Sequence, residues 1–122
     1  MIIFVYGTLK RGYSNHHFLE KLKAQFLRES LTKEMYCLAV NFAPFAIKEC
    51  KKELKGKIVI EIYSIDKNKI SLLDEFEDAP RFYVRQLIKD INNQKGWLYF
   101  LPKERLSNRA HFLSPKKGII CF

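Results

Sequence analysis

The sequence predicts a small mixed α+β domain built around a curled β-sheet. Most of its regular segments are rich in β-branched and aromatic residues, a composition that favours strands. Only two short stretches, at residues 16–26 and 67–79, place apolar residues at a helical spacing. No repeat, low-complexity segment or linker divides the 122 residues, so we expect one domain covering residues 1–122.

The N-terminal part of the chain predicts a strand followed by a helix. Residues 2–6, IIFVY, form a β-branched and aromatic run that stops at Gly7. Asn15 is a typical N-cap residue and predicts a short helix over residues 16–26. The apolar positions that recur along this helix are Phe18, Leu22 and Phe26.

The middle of the chain predicts a strand in the centre of the sheet. Residues 35–47 indicate strand and loop, because Pro44 interrupts a regular ladder. Residues 57–65, KIVIEIYSI, alternate between two faces that are both mostly apolar, which is typical of a central strand. One face carries Ile58, Ile60 and Ile62, and the other carries Val59, Glu61 and Tyr63.

A second helix and a hairpin are predicted next. Asp66 is a candidate N-cap and Pro80 cannot continue the helix that follows it. Strands are expected at residues 82–91 and 96–101, joined by a hairpin-like connection at 92–95.

The net charge of +9 raises the question of a nucleic-acid partner. The Lys and Arg residues are scattered and form only short pairs, without the concentrated basic run that such binding favours. Nucleic acid is therefore not the expected partner. No apolar run approaches the roughly 20 residues that span a bilayer, so no membrane partner is expected either.

The first residues lack a basic n-region and a small-residue cleavage site, so they predict a strand and not a signal peptide. The cysteines are odd in number, widely spaced and without a CxxC pair, which favours reduced thiols in a cytoplasmic protein. They are Cys37, Cys50 and Cys121. The histidines form no HxxxH or Cys/His cluster, so we expect no metal site.

The predicted second helix carries one carboxylate, Glu77, at the edge of its apolar face. At about 100° per residue, the apolar residues of the helix form an arc, and Glu77 lies nearest to its edge. Burial there would raise its pKa toward the range used in general acid/base catalysis. Glu77 is therefore a candidate catalytic residue, the alternative being a partly buried glutamate paired with Arg81 or Arg85. The acidic residues expected on the opposite side are Asp74, Glu75 and Asp78.

Residues 6–12, YGTLKRG, follow the first predicted strand and are called here the opening loop. After a glycine, successive backbone N–H groups can approach an anionic oxygen, and Thr8 adds a hydroxyl. The spacing matches neither the Walker nor the dinucleotide fingerprint, so nucleotide binding is not supported. From these residues alone, an ordinary tight turn is the alternative. Tyrosines expected to lie in the core, with hydroxyls able to face a cavity, are Tyr6, Tyr63, Tyr83 and Tyr99.

Two segments of the chain together resemble a known family. VYGTLKRGYSNHHFL at residues 5–19 and LLDEFEDAPRFYVR at 72–85 are similar to the gamma-glutamylcyclotransferase-like (AIG2-like) superfamily. More closely, they resemble its gamma-glutamylamine cyclotransferase branch. Weaker blocks, EIYSID at 61–66 and GWLYF at 96–100, extend the resemblance over nearly the whole chain.

This resemblance implies a small β-barrel with flanking short helices and a cavity at one side. It implies an enzyme that cyclises a gamma-glutamylamine, or a related gamma-glutamyl compound, to 5-oxoproline and a free amine, without a metal or organic cofactor. The implied catalytic residue is Glu77, acting as general acid/base. The residues implied to bind the small-molecule substrate are Tyr6, Gly7, Thr8 and Leu9, through backbone groups, together with Tyr83 and Tyr99.

The sequence departs from the family pattern at three places. Ile60 stands where the strand motif has a glycine, and Asp78 stands where the residue after the catalytic glutamate is often small. Residues 41–47 keep only a proline followed by an aromatic residue. These differences leave the leaving amine open. A binding protein for an acidic small molecule, with the same fold, and a basic RNA-associated domain stay as alternative functions, and the oligomeric state is not predicted.

Overall fold

The computed structural model describes residues 1–122 and contains a nine-stranded mixed sheet, curled into a half-barrel, with two short helices. The elements are β1 Ile2–Val5, α1 His16–Lys21, β2 Gln25–Leu31, β3 Cys37–Val40, β4 Pro44–Ile47, β5 Lys57–Ser64, α2 Ile70–Phe76, β6 Val84–Lys89, β7 Lys95–Phe100, β8 His111–Phe112 and β9 Ile119–Ile120. The expected α+β class and barrel-like sheet are confirmed.

Strand β1 lies between β5 and β7 in the sheet, and the opening loop begins where β1 ends. The strand order is β2-β5-β1-β7-β4-β3-β8, with β6 on β7 and β9 on β5. β1 pairs antiparallel with β5, from Ile2 opposite Ser64 to Val5 opposite Glu61, and parallel with β7. The predicted central position of the 57–65 strand is confirmed, because β5 has β1 and β2 as antiparallel neighbours.

The two faces of β1 enter different parts of the core. Successive side chains of a strand point to opposite faces. Phe4 packs with Ile60 and Ile62 of β5 inside the curl of the sheet. Ile3 packs on the other face, against Leu19 of α1 and Leu73 of α2. The helices therefore cover one face of β1, and the end of α2 comes close to the opening loop.

The first helix is shorter than predicted. Helix α1 ends at Lys21, and Lys23 has a positive φ of 56° that turns the chain out of the helix. Phe26 belongs to β2, where its ring lies 5.5 Å from that of Tyr63 on β5. The helical spacing of Phe26 was misleading, because pairing along β5 supplies long-range hydrogen bonds that no local pattern reveals.

The second helix lies where it was predicted, with a different start. A 3₁₀ turn at Lys67–Lys69 precedes α2, and the Asp66 side chain makes no capping hydrogen bond. The predicted hairpin is confirmed: β6 and β7 pair from Val84 opposite Phe100 to Lys89 opposite Lys95. Neither helix of the fold is long and apolar enough to cross a membrane.

The expectation that all cysteines are reduced is wrong for two of them. Cys37 and Cys50 form a disulfide with Cα atoms 6.4 Å apart, and Cys121 is free and exposed. Strands β3 and β4 pair antiparallel with Cys37 opposite Ile47, so the hairpin returns the chain close to its starting point. A spacing of 13 residues does not disclose this closure in the sequence.

The disulfide predicts the number of reactive thiols. In unfolded protein kept free of reductant, an alkylating reagent should modify Cys121 alone, and mass spectrometry should count one adduct. After reduction, all three cysteines should be modified. A Cys121→Ser control should show no adduct before reduction. Three adducts on the unreduced protein would contradict the pairing.

Candidate active site

A small cavity of about 50 Å³ opens where β1 ends. Its lining includes every residue implied to be catalytic or substrate-binding: Tyr6, Gly7, Thr8, Leu9, Glu77, Tyr83 and Tyr99. Tyr63, whose hydroxyl was also expected to be able to face a cavity, does not line it. Residues that the sequence analysis did not name complete the wall, namely Phe4, Val5, Ala43 and Pro44. The fold thus brings together the opening loop, the end of α2 and residues of two strand regions that are distant in the chain.

The opening loop leaves a run of backbone donors unused. The N–H groups of Gly7, Thr8 and Leu9 donate to no acceptor in the protein. Their carbonyl groups are engaged: Lys10 N donates to Gly7 O at 3.0 Å, and Asn15 N donates to Thr8 O at 2.9 Å. His16 Nδ1 lies 2.9 Å from Leu9 O and must carry the proton there. The loop therefore offers donors, and such a group of N–H dipoles suits an anionic oxygen.

Gly7 is required by a packing contact. A Cβ atom at this position would lie 2.4 Å from Pro44 Cγ of β4. The expected reason for the glycine was access of a ligand to the backbone, whereas the close neighbour in the structure is another part of the chain. Tyr6, next to Gly7, is held against the same strand: its hydroxyl donates to Tyr99 O at 2.8 Å and accepts from Ala46 N of β4 at 3.0 Å.

Glu61 holds the far end of the opening loop. Its Oε1 accepts hydrogen bonds from Arg11 N at 3.0 Å and from Tyr63 Oη at 2.8 Å. Its Oε2 lies 3.3 Å from Arg11 Nε, and the Arg11 guanidinium lies over the Phe26 ring. A buried glutamate on a central strand was visible in the sequence, but its partner in the loop was not.

Glu77 lies at the C-terminal end of α2 and has no ionic partner. Arg81 binds Asp78 and Arg85 binds Asp74, so the alternative that either arginine pairs with Glu77 is wrong. No protein donor hydrogen-bonds to its carboxylate, and burial raises the pKa of Glu77 to about 7. A carboxyl group with this pKa can both accept and donate a proton near neutral pH.

The structure explains Asp78, which stands next to Glu77 where the family often has a small residue. Its φ is +54°, the left-handed conformation in which many helices end, and Asp tolerates this conformation better than most residues. Its carboxylate accepts hydrogen bonds from Arg81 Nε and from one of the terminal guanidinium nitrogens, the shortest at 2.7 Å. The second negative charge beside Glu77 is therefore paired.

Asp74 is a residue of the site that the sequence analysis missed. It was expected on the exposed side of the helix, but it accepts a hydrogen bond from Tyr99 Oη at 2.5 Å. Arg85 holds both oxygens of the same carboxylate, at 2.9 and 3.1 Å. The signal that could have found it is the spacing to Glu77, since residues three apart are neighbours on a helix surface.

The tyrosines of the cavity are kept protonated. Burial raises the pKa of Tyr83 and Tyr99, and the hydrogen bond to Asp74 raises that of Tyr99 further. The negative charge of Glu77, which lines the same cavity, adds to both shifts. Tyr83 Oη donates to Pro44 O at 3.2 Å. No group of three His, Cys, Asp or Glu side chains is placed to hold a metal ion.

The raised pKa of Glu77 predicts how stability depends on pH. With a pKa of 4.5 unfolded and about 7 folded, the native state holds the proton more tightly between these values. The Glu77 contribution to the free energy of unfolding therefore falls as pH rises through this window, by up to about 3 kcal/mol. Glu77→Gln should be more stable than wild type at pH 8, and the difference should vanish near pH 4.5, as measured by urea unfolding.

The matched control for this measurement is Glu75→Gln. Glu75 lies on the same helix and is exposed, so Glu75→Gln removes a carboxylate of the same helix without touching the cavity, and the two variants are compared at both pH values. A Glu77→Gln variant whose advantage is the same at both pH values would show that the carboxyl group is not perturbed.

The contact between Gly7 and Pro44 predicts a second stability effect. Gly7→Ala should lower the free energy of unfolding by about 1–3 kcal/mol, because the added methyl group has no space. In a Pro44→Ala background the same substitution should cost clearly less, since the clashing ring atom is gone. Chemical denaturation of the four proteins measures this coupling. Equal costs in the two backgrounds would contradict the packing explanation.

Comparison with known proteins supports an assignment to a family. Residues 3–116 match the family described as gamma-glutamyl cyclotransferase, AIG2-like. A protein of Methanocaldococcus jannaschii, provisionally named a gamma-glutamylcyclotransferase, is 32% identical over 83% of this chain and 84% of its own length. Gamma-glutamylaminecyclotransferase A of Danio rerio is 36% identical over 71% of this chain, which spans only 56% of that protein.

Solved structures agree with this assignment. The crystal structure of an AIG2-like protein from Mus musculus superposes with a TM-score of 0.74 at 27% identity, covering 88% of this chain and 79% of that one. The match to the family description extends over both the opening loop and the end of α2. The chain therefore belongs to the gamma-glutamyl cyclotransferase, AIG2-like family.

Proposed function

We propose that this protein releases 5-oxoproline and a free amine from a gamma-glutamylamine or a related gamma-glutamyl compound, with Glu77 as general acid/base. Membership of the family supports an enzyme of the gamma-glutamylcyclotransferase type. The observation that carries the proposal is that one cavity contains both a group able to transfer protons and a set of free hydrogen-bond donors. An unpaired carboxyl group with a pKa of about 7 shares the cavity with the free N–H groups of the opening loop.

The proposed reaction is an intramolecular acyl transfer. The α-amino nitrogen of the glutamyl group attacks its own γ-carbonyl carbon, so that a new C–N bond closes the five-membered ring. The C–N bond to the amine then breaks. Glu77 takes a proton from the attacking nitrogen and returns one to the departing amine, so the enzyme ends the cycle in its starting protonation state.

The protein has two tasks in this reaction. It must hold the flexible glutamyl chain folded, with its amino nitrogen close to the carbonyl carbon, because attack within one molecule depends on this conformer. It must also stabilise the oxyanion that forms on the γ-carbonyl oxygen, a task suited to preorganised N–H groups of Gly7, Thr8 and Leu9. The cavity of about 50 Å³ is too small to enclose a whole gamma-glutamylamine, so the leaving amine would lie outside it.

The test is a screen of gamma-glutamyl compounds with wild type and Glu77→Gln, in which released 5-oxoproline is measured by mass spectrometry. The compounds should carry as leaving group an alkylamine, the lysine side chain, an amino acid and a peptide. The substitution keeps the shape and removes the base, so the rate should fall about 10²- to 10⁴-fold. The wild-type rate should rise with pH through about 7, as Glu77 ionises.

The control variant is Glu75→Gln, which should keep the wild-type rate, since its side chain lies outside the cavity. Undiminished release of 5-oxoproline by Glu77→Gln would overturn the role of this residue. Binding of the compounds by wild type without any release of 5-oxoproline would instead favour the binding protein of the same fold.

A further inference from the structure

We propose that Asp74 is a positioning residue that makes Tyr99 a hydrogen-bond acceptor in the cavity, so that this side of the site selects ligands with an α-ammonium or amino group. The inference rests on the proposed function in one respect, namely that the glutamyl end occupies this cavity. It concerns a residue that does not line the cavity and acts through its neighbour.

The direction of the hydrogen bond from Tyr99 carries the proposal. A tyrosine hydroxyl has one proton to donate. Tyr99 Oη lies 2.5 Å from Asp74 Oδ1, and Arg85 donates to both oxygens of the same carboxylate, so Asp74 acts as the acceptor in its hydrogen bond with Tyr99. The proton of Tyr99 is therefore committed to Asp74. Any polar contact that this hydroxyl makes in the cavity uses its lone pairs.

Tyr83 is restricted in the same way. Its hydroxyl donates to the carbonyl oxygen of Pro44 at 3.2 Å, and in this arrangement its lone pairs are what it offers to the cavity. Glu77, when ionised, adds carboxylate oxygens to the lining of the same cavity, and its charge raises the pKa of both tyrosines. We call these three residues, Glu77, Tyr83 and Tyr99, the acceptor wall.

The opening loop lines the same cavity and has the reverse polarity. The N–H groups of Gly7, Thr8 and Leu9 are free donors. Thr8 Oγ1 accepts a hydrogen bond from Asn15 Nδ2 at 2.9 Å, which leaves the Thr8 hydroxyl proton to be donated elsewhere. A ligand that satisfies both the opening loop and the acceptor wall must carry anionic or carbonyl oxygens for the loop and N–H groups for the wall.

An α-amino acid end has this distribution of groups. Its carboxylate or γ-carbonyl oxygen suits the opening loop, and its ammonium group suits the acceptor wall, where Glu77 must also lie to receive a proton. An Asp74→Asn substitution would allow Tyr99 to become a donor in the cavity, where it is an acceptor in the wild type. The Asn amide can donate to Tyr99 Oη, so the tyrosine proton is free to point at the ligand and repel an ammonium group.

The experiment compares two probes that differ only in the amino group. L-glutamine is a minimal gamma-glutamyl amide, and glutaramate is the same molecule without the α-amino group. Their dissociation constants are measured by calorimetry for wild type, Asp74→Asn, Tyr99→Phe and the double variant. Wild type should bind L-glutamine more tightly than glutaramate. In Asp74→Asn the ratio of the two dissociation constants should fall about 10- to 100-fold, with little change in glutaramate affinity.

The double variant identifies the route of the effect. If Asp74 acts through Tyr99, adding Asp74→Asn to Tyr99→Phe should change the preference by less than about twofold. Asp78→Asn is the matched control, because Asp78 is also paired with an arginine near the end of α2, while Tyr83 and Tyr99 donate to other residues. It should keep the wild-type preference. Thermal unfolding of each variant checks that the fold is intact.

The outcomes separate this inference from the proposed function. Equal affinity of wild type for both probes, an unchanged preference in Asp74→Asn, or the same loss in the Tyr99→Phe background would each overturn the inference. Release of 5-oxoproline with any of these results would leave the proposed function standing. A preference that depends on Asp74, without release of 5-oxoproline, would support the inference and count against the reaction.

Discussion

The contact between Gly7 and Pro44 is the constraint on which the geometry of the site depends. It brings the end of β1 against the first residue of β4, closer than any side chain at position 7 would allow. In that position the Tyr6 hydroxyl bridges the main chains of β4 and β7. The carbonyls of the opening loop then find partners within the protein, and the N–H groups of residues 7–9 are left unpaired at the cavity.

The acidic residues at the end of α2 have different surroundings, which explains why only Glu77 has a strongly raised pKa. Asp74 and Asp78 each have an arginine, and Glu75 is exposed to solvent. Only Glu77 is partly buried and without an ionic partner, so desolvation raises its pKa without any charge to oppose it. Such a group costs stability at neutral pH, and proteins keep such groups mainly where their chemistry is needed.

Prediction from the sequence succeeded where the pattern is local. The β-branched runs and the alternation in β5 indicated the strands, and the arc on α2 singled out Glu77. It failed where distant partners decide the structure. Strand β2 was hidden because its hydrogen bonds come from β5, and the Cys37–Cys50 pair was hidden because only the β3–β4 register closes that distance. Asp74 was assigned to the exposed side because its partners, Tyr99 and Arg85, lie on the β6–β7 hairpin.

By itself, the sequence determined the fold class, the family and the residue types of the site. Periodicity, turn residues and short motifs each involve residues only a few positions apart, so they can be recognised without the structure. The tertiary structure alone decided which groups face each other and with which polarity. The hydrogen bond from Tyr99 to Asp74 joins residues 25 apart in the chain. The raised pKa of Glu77 comes from burial, and the N–H groups of residues 7–9 are free because no acceptor of the fold reaches them. Hydrogen-bond direction and desolvation are properties of the packed molecule, and no local pattern encodes them.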